Sequence, residues 1–190
     1  LYSYVMQGLL TAKSADNMAV EYLNKNNGNV QKAMQAMITM QVTKCKTIGF
    51  LTGLGGFITL PVADIGLSMY VQMRMIAGIA VMNGYSLYDD AVKTMVYSIL
   101  LGIELGNTII KPICVKTADK FATNMLKKMP AKGLVKINRK LGFQFITKFG
   151  KTGMINLVKY VPFVGGVVNA VINLAETKAI ANRAMKAFAN

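Results

Sequence analysis

The sequence predicts an all-α protein: a single compact domain of about seven to eight helices with a glycine-rich apolar central hairpin. Three observations carry that expectation. Apolar residues recur at spacings of three and four throughout, and no sustained period-two alternation appears. Helix start and stop residues punctuate the chain at short intervals. A length of 190 residues, 53% of them hydrophobic, suits one domain with a core and is short for two.

The elements follow in order. Ser14 is placed to cap a helix running to about Asn26, and Asn26-Asn27-Gly28 ends it. A second helix starts near Asn29 and carries Val30, Ala33, Met34, Met37 and Ile38. Thr47 to Ala63 holds no charged residue over 17 positions. Gly55-Gly56 is expected to end or bend its helix, and Pro61 to open the next. That helix runs to Asn83 and stops at Gly84. Ser86 is expected to cap the following one, with Asp89 as its capping-box partner, and the helix reaches Gly102 to Gly106. Pro112 opens another, ending near Met129-Pro130. A basic helix spans roughly Ala131 to Phe149 with a break or bend at Gly142. Gly150 to Gly153 reads as a turn, Met154 to Lys159 as a short helix, and Pro162 with Gly165-Gly166 as the lead into a final helix to about Phe188.

Charge is sparse and uneven. Only 16% of residues are charged, where about 25% is usual, yet Lys and Arg outnumber Asp and Glu by 22 to 8. Residues 1–106 hold 7 basic and 6 acidic groups, and residues 107–190 hold 15 and 2. An apolar chain whose second half is this basic calls for anionic partners, either lipid headgroups or nucleic acid.

Catalytic chemistry has little to work with. There is no histidine, the usual proton carrier near neutral pH and a common metal ligand. Cys45 and Cys114 do not make a closed zinc site by themselves and read as buried free thiols. No hydrolase elbow, zinc-protease helix, P-loop or dinucleotide fingerprint stands in its proper context. Gly53-Leu54-Gly55-Gly56 lacks the P-loop lysine, and Asp89-Asp90 reads as capping rather than metal binding. The expectation is a non-enzyme with no cofactor and no metal.

The basic helices are the first functional candidate. At 100° per residue, Lys116, Lys120 and Lys127 fall within about 40° of one another, opposite Cys114, Ala118, Phe121 and Met125. The next helix repeats the design, with Lys132, Lys136, Arg139 and Lys140 opposed by Leu134, Ile137, Leu141 and Phe145. Such helices suit an anionic membrane surface, where each cation contributes about 1 kcal/mol. A core-packed helix with a solvated outer face has the same pattern, and both readings stand at this point. Nucleic-acid binding is a further alternative without a motif, because aromatic residues do not interleave with the cations.

The glycines are the second candidate. Gly49 and Gly53 share the small-residue spacing that allows close helix approach in lipid, as do Gly102 and Gly106. Gly55, Gly56, Gly165 and Gly166 lie in the two longest uncharged runs, of 17 and 16 residues, both short of the roughly 20 a membrane span needs. These runs read as a close-packed core, or as hairpins that insert and perturb a bilayer. Two charges in apolar surroundings, Arg74 and Glu104, read as a buried pair or as functional charges in a water-filled path, while Asp64 reads as a capping residue at the start of its helix.

One long stretch resembles a known family. The segment Gly49-Phe-Leu-Thr-Gly-Leu-Gly-Gly-Phe-Ile-Thr-Leu-Pro-Val-Ala-Asp64, then Gln72 to Ala77 and Asn83-Gly-Tyr85, is similar to the bacterial EcsC family. Val135 to Phe143, Lys148-Phe-Gly150, Gly153 to Asn156 and Val161 to Val167 continue the likeness in order. It covers residues 45 to about 188, leaving 1–44 as an N-terminal helical pair, and 1–190 reads as one domain. Around Asn169, Ala170 and Asn173 the sequence departs from the family pattern, where glycines and an acid are expected. The resemblance implies a helical, membrane-associated protein linked to a transporter operon. It carries no catalytic residues across.

The expected partners are anionic lipid headgroups, with a membrane protein as a second candidate. The expected location is the bacterial cytoplasm, peripheral on the inner face of the membrane. A chain beginning at Leu1 reads as a trimmed product, which keeps a secreted effector in view.

Overall fold

The computed structural model describes residues 2–8, 12–53, 67–110, 128–149 and 162–189, with side chains over 2–8, 12–47, 68–101, 128–142 and 174–189. The described residues form seven helices and no strand: α1 Tyr2–Gln7, α2 Ala15–Lys25, α3 Val30–Gly53, α4 Leu67–Met82, α5 Asp90–Ile110, α6 Ala131–Phe149 and α7 Pro162–Ala187. The fold is all-α and compact.

Local chemistry sets the first boundaries. The Ser14 hydroxyl accepts from the Asn17 amide at 3.2 Å and starts α2. At the other end Asn27 and Gly28 both take positive φ, and the Gly28 amide donates back to the Leu23 carbonyl at 2.8 Å. That bond satisfies a carbonyl the helix leaves over. Asn29 then caps α3 through its side chain, which accepts from the Lys32 amide at 2.9 Å. The chain turns between two helices within four residues.

Helix α4 is the centre of the molecule. Every residue from Tyr70 to Ala80 is buried, and the helix touches α1, α2, α3, α5 and α7. Three contacts fix its register on α3: Met34 meets Asn83, Met37 meets Gly78, and the Cys45 thiol reaches the Ser68 carbonyl at 3.7 Å. Numbers rising on one helix and falling on the other make the pair antiparallel. Gly78 allows the approach, since a Cβ there would stand 2.7 Å from the Met37 sulfur and 2.9 Å from the Met18 methyl. Flexible thioethers fill this irregular junction.

Polar side chains cross the core where helices must be pinned. Gln72 on α4 donates to the Thr177 hydroxyl on α7 at 3.0 Å, both groups buried. The Tyr2 hydroxyl donates to the Leu87 carbonyl at 2.8 Å, and its ring lies 5.7 Å from that of Tyr97. The Phe188 ring sets its edge toward Tyr85 at 5.2 Å, so both chain ends rest on the α4–α5 turn.

Several expected boundaries are corrected. Asp89, not Ser86, starts α5: its carboxylate accepts from the Ala91 amide at 2.8 Å, while the Ser86 hydroxyl is used within the turn by the Tyr88 amide. A carboxylate is the stronger partner for helix-start amides. Helix α5 continues past Gly102 and Gly106 to Ile110, and α6 runs through Gly142. Helix α7 begins at Pro162 and includes Gly165 and Gly166 rather than following them. A proline at the first helical position is pre-organised, and a helix of 26 residues absorbs the roughly 1 kcal/mol each glycine costs. The helices expected from Pro112 to Met129 and over Met154 to Lys159, the capping of Asp64, and the turn at Gly55-Gly56 lie outside the described residues. Helix α3 crosses from Lys44 to Cys45 without interruption, and the first 44 residues contain α1, α2 and the start of α3.

Candidate functional site

Helix α6 divides its residues by a simple period. Lys132, Val135, Lys136, Arg139 and Lys140 are exposed, at steps of three, four, seven and eight from the first. Leu134, Asn138 and Leu141 are buried on the other side, with Ile137 half-buried. The four predicted cations of this helix therefore share one outward stripe spanning about 12 Å. An apolar side chain, Val135, stands among them. From Ala131 to Phe149 the helix contains no acid.

What holds that stripe outward is a buried polar knot against α5. The Asn138 amide nitrogen donates to the Asp90 carbonyl and to the Asp90 carboxylate, both at 3.1 Å. The Thr94 hydroxyl lies between the Asn138 side-chain oxygen at 2.8 Å and the Asp90 carbonyl at 2.7 Å. Its single proton serves one of them at a time. Asp90 is thereby engaged inside the fold, so its charge is not spent on the exposed lysines. Asn138 meets the first turn of α5, and Gly142 lies level with the Tyr97 hydroxyl, so α5 and α6 run in the same direction.

The other predicted sites fare differently. Lys116, Lys120 and Lys127 lie outside the described residues. So do Gly55 and Gly56. Gly49, Gly53, Gly165 and Gly166 are helical, and what packs on them lies outside the described side chains. Among the described residues no helix is long and apolar enough to cross a membrane, and no group of three or more metal-ligating side chains comes together.

Arg74 is buried at 6% exposure, as the sequence suggested. Its expected partner Glu104 lies outside the described side chains. Among the described residues Arg74 has no ion pair, and its Nε has no hydrogen-bond partner. Burial pushes the guanidinium below its ordinary range, opposed by Tyr70, Tyr22 and Glu21. Burial, and then the Arg74 charge, push Lys44 down as well. The Glu21 carboxylate is engaged at the surface by Lys25 at 2.6 Å and Lys13 at 3.0 Å. Cys45 is a buried free thiol raised to about 11 by its burial, so it is protonated at neutral pH.

Sequence reasoning missed one feature. Helices α3 and α7 enclose a groove of about 530 Å³, with Ile38, Val42, Ala181 and Met185 along its apolar length and Lys46 and Lys178 on its edge. The periodic signal was present in Ile38, Val42 and Lys46, but the matching half lies more than 130 residues away. No local pattern joins them.

Over residues 10–190 the chain matches the EcsC protein family, and it belongs to that family. The match begins well before residue 45, so α2 and the start of α3 are part of the family domain. No curated protein and no solved structure is similar enough to count as a match.

Proposed function

We propose that this member of the EcsC family is a non-enzymatic protein that holds to anionic membranes through the exposed basic stripe of α6. The observation behind the reading is the stripe itself: Lys132, Lys136, Arg139 and Lys140 around Val135, in a helix without an acid. Four cations at about 1 kcal/mol each amount to roughly a thousandfold in partitioning onto an anionic leaflet. Val135 adds a small apolar contact at the headgroup boundary. This reading puts the protein on the inner face of the bacterial cytoplasmic membrane, accessory to a transport or secretion system.

Sedimentation with vesicles tests it. The protein is expected to pellet with phosphatidylglycerol vesicles at low salt, to be released at high salt, and to ignore neutral phosphatidylcholine. Equal binding to both compositions, insensitive to salt, sinks the proposal. Dye trapped in the same vesicles separates surface binding from perturbation by the glycine-rich segments, because a surface-bound protein leaves them sealed. Short DNA and RNA duplexes in the same salt series separate lipid from nucleic acid as the anionic partner.

A further inference from the structure

The groove between α3 and α7 has a direction. Cys45 meets α4 at Ser68, and Thr177 meets it one turn later at Gln72. With Cys45 and Thr177 at nearly the same level, one groove lined by both 35–46 and 174–185 requires the two helices to run antiparallel. Lys46 and Lys178 step away from that level in opposite directions by one residue each, so they stand within a turn of one another, with Leu174 lining the groove one turn beyond Lys178. Apolar side chains fill its middle, and Gln35 with Met185 closes the far end.

The polar groups of the groove are just as one-sided. The Thr39 hydroxyl donates to the Gln35 carbonyl and the Thr43 hydroxyl to the Thr39 carbonyl, each at 2.9 Å. They turn lone pairs, not protons, toward a ligand. Among the described residues, charged donors come from the two lysines alone, and no lining residue is acidic. Glu176 lies about 160° around α7 from Lys178. From Gln35 to Lys46 the groove runs about 16 Å along α3 at 1.5 Å per residue. The volume falls in the range of small-ligand sites.

We infer that this groove binds a single-chain anionic amphiphile, its carboxylate or phosphate held between Lys46 and Lys178 and its alkyl chain laid over Ile38, Val42, Ala181 and Met185. The alkyl chain covers the half-buried Ile38 and Met185, which flank the buried Val42 and Ala181, and the head supplies the negative charge that the two lysines lack. This site is separate from the α6 stripe and does not depend on the membrane reading.

Displacement of 11-(dansylamino)undecanoic acid from the 190-residue chain, below micelle-forming concentrations, tests the assignment. Dodecanoate is expected to displace the probe at least tenfold better than dodecanol, since only the acid meets both cations. The double variant Lys46→Gln/Lys178→Gln is expected to weaken dodecanoate about tenfold and leave dodecanol unchanged. Thr39→Trp, an exposed position on the groove wall, is expected to abolish both while the circular dichroism spectrum stays helical. Lysophosphatidylglycerol competing better than dodecanoate identifies the ligand as a membrane lipid, and the reverse order as a free fatty acid. Dodecanol binding as well as dodecanoate, full dodecanoate affinity in the lysine variant, or unaltered displacement in Thr39→Trp each overturns the inference. Charge reversal on α6 is expected to leave displacement intact, so failure here and failure of the membrane reading give different results.

Discussion

Helices α4 and α6 differ in how many of their sides are covered. Every side chain of α4 from Tyr70 to Ala80 is inside the protein, including the polar Gln72 and Arg74. Over its described side chains, 131–142, helix α6 buries Leu134, Asn138 and Leu141, half-buries Gly133, Ile137 and Gly142, and leaves the others to solvent. The first has no surface on which to act and is constrained on every side. The second is held by a narrow seam and one polar knot, and its outer face is free to be chosen for a partner. In the proposed reading, stability and function thus fall to different helices.

The largest effect that can break this division is charge reversal on α6. Lys132→Glu, Lys136→Glu, Arg139→Glu and Lys140→Glu together are expected to lower binding to phosphatidylglycerol vesicles by at least about a thousandfold. The melting temperature is expected to move by only a few degrees, because these side chains touch no core group. A collapse in melting temperature matching the loss of binding would show that the stripe is structural after all.

Next comes the knot. Asn138→Leu leaves the Asp90 carboxylate and Thr94 hydroxyl without their buried partner, at a cost of about 2 kcal/mol in urea unfolding. A cost near zero would mean that Leu134 and Leu141 alone position the helix.

Glycine to alanine is smaller and should change sign between the two helices. At Gly78 the new methyl meets the Met37 sulfur at 2.7 Å, and a destabilisation of about 1 kcal/mol is expected after the thioether yields. At Gly142 the nearest atom among the described residues is the Tyr97 hydroxyl at 4.0 Å, so the gain in helix propensity prevails, at about 0.5–1 kcal/mol of stabilisation. Equal effects at both sites would erase the contrast in packing.

The smallest effect lies on α2. Hydrogen bonds from Lys25 and Lys13, then their charges, lower the Glu21 carboxyl from 4.5 to about 2. A depressed folded value means stability that is complete above pH 4.5 and lost as pH falls through about 2. Glu21 lies at the surface with its side chain 32% exposed, so Glu21→Gln is expected to flatten that acid limb slightly at low salt and not at all at high salt. Thermal midpoints between pH 2 and 5 read both outcomes.

Legibility in the sequence followed the reach of the forces involved. Ser14 and the Asn27-Gly28 pair act within one turn, and both ends of α2 stand where those residues place them. The two faces of α6 were equally readable, since one helix carries both halves of the pattern. The start of α5 was not, because Ser86 and Asp89 compete for the same role and the turn between them decides. Asn138 was hidden for another reason: an amide in an apolar line has meaning only once Asp90 and Thr94 arrive from α5. The α3–α7 groove required pairing helices from opposite ends of the chain.

The long reach of one hydrogen bond bears on how the protein is made. Gln72 waits for Thr177, and the side of α4 facing α7 stays uncovered until α7 is synthesised. At about 5–20 residues per second, the roughly 105 residues between the end of α4 and the end of α7 take some 5–20 s. Through that interval the most fully buried of the described helices lacks part of its cover.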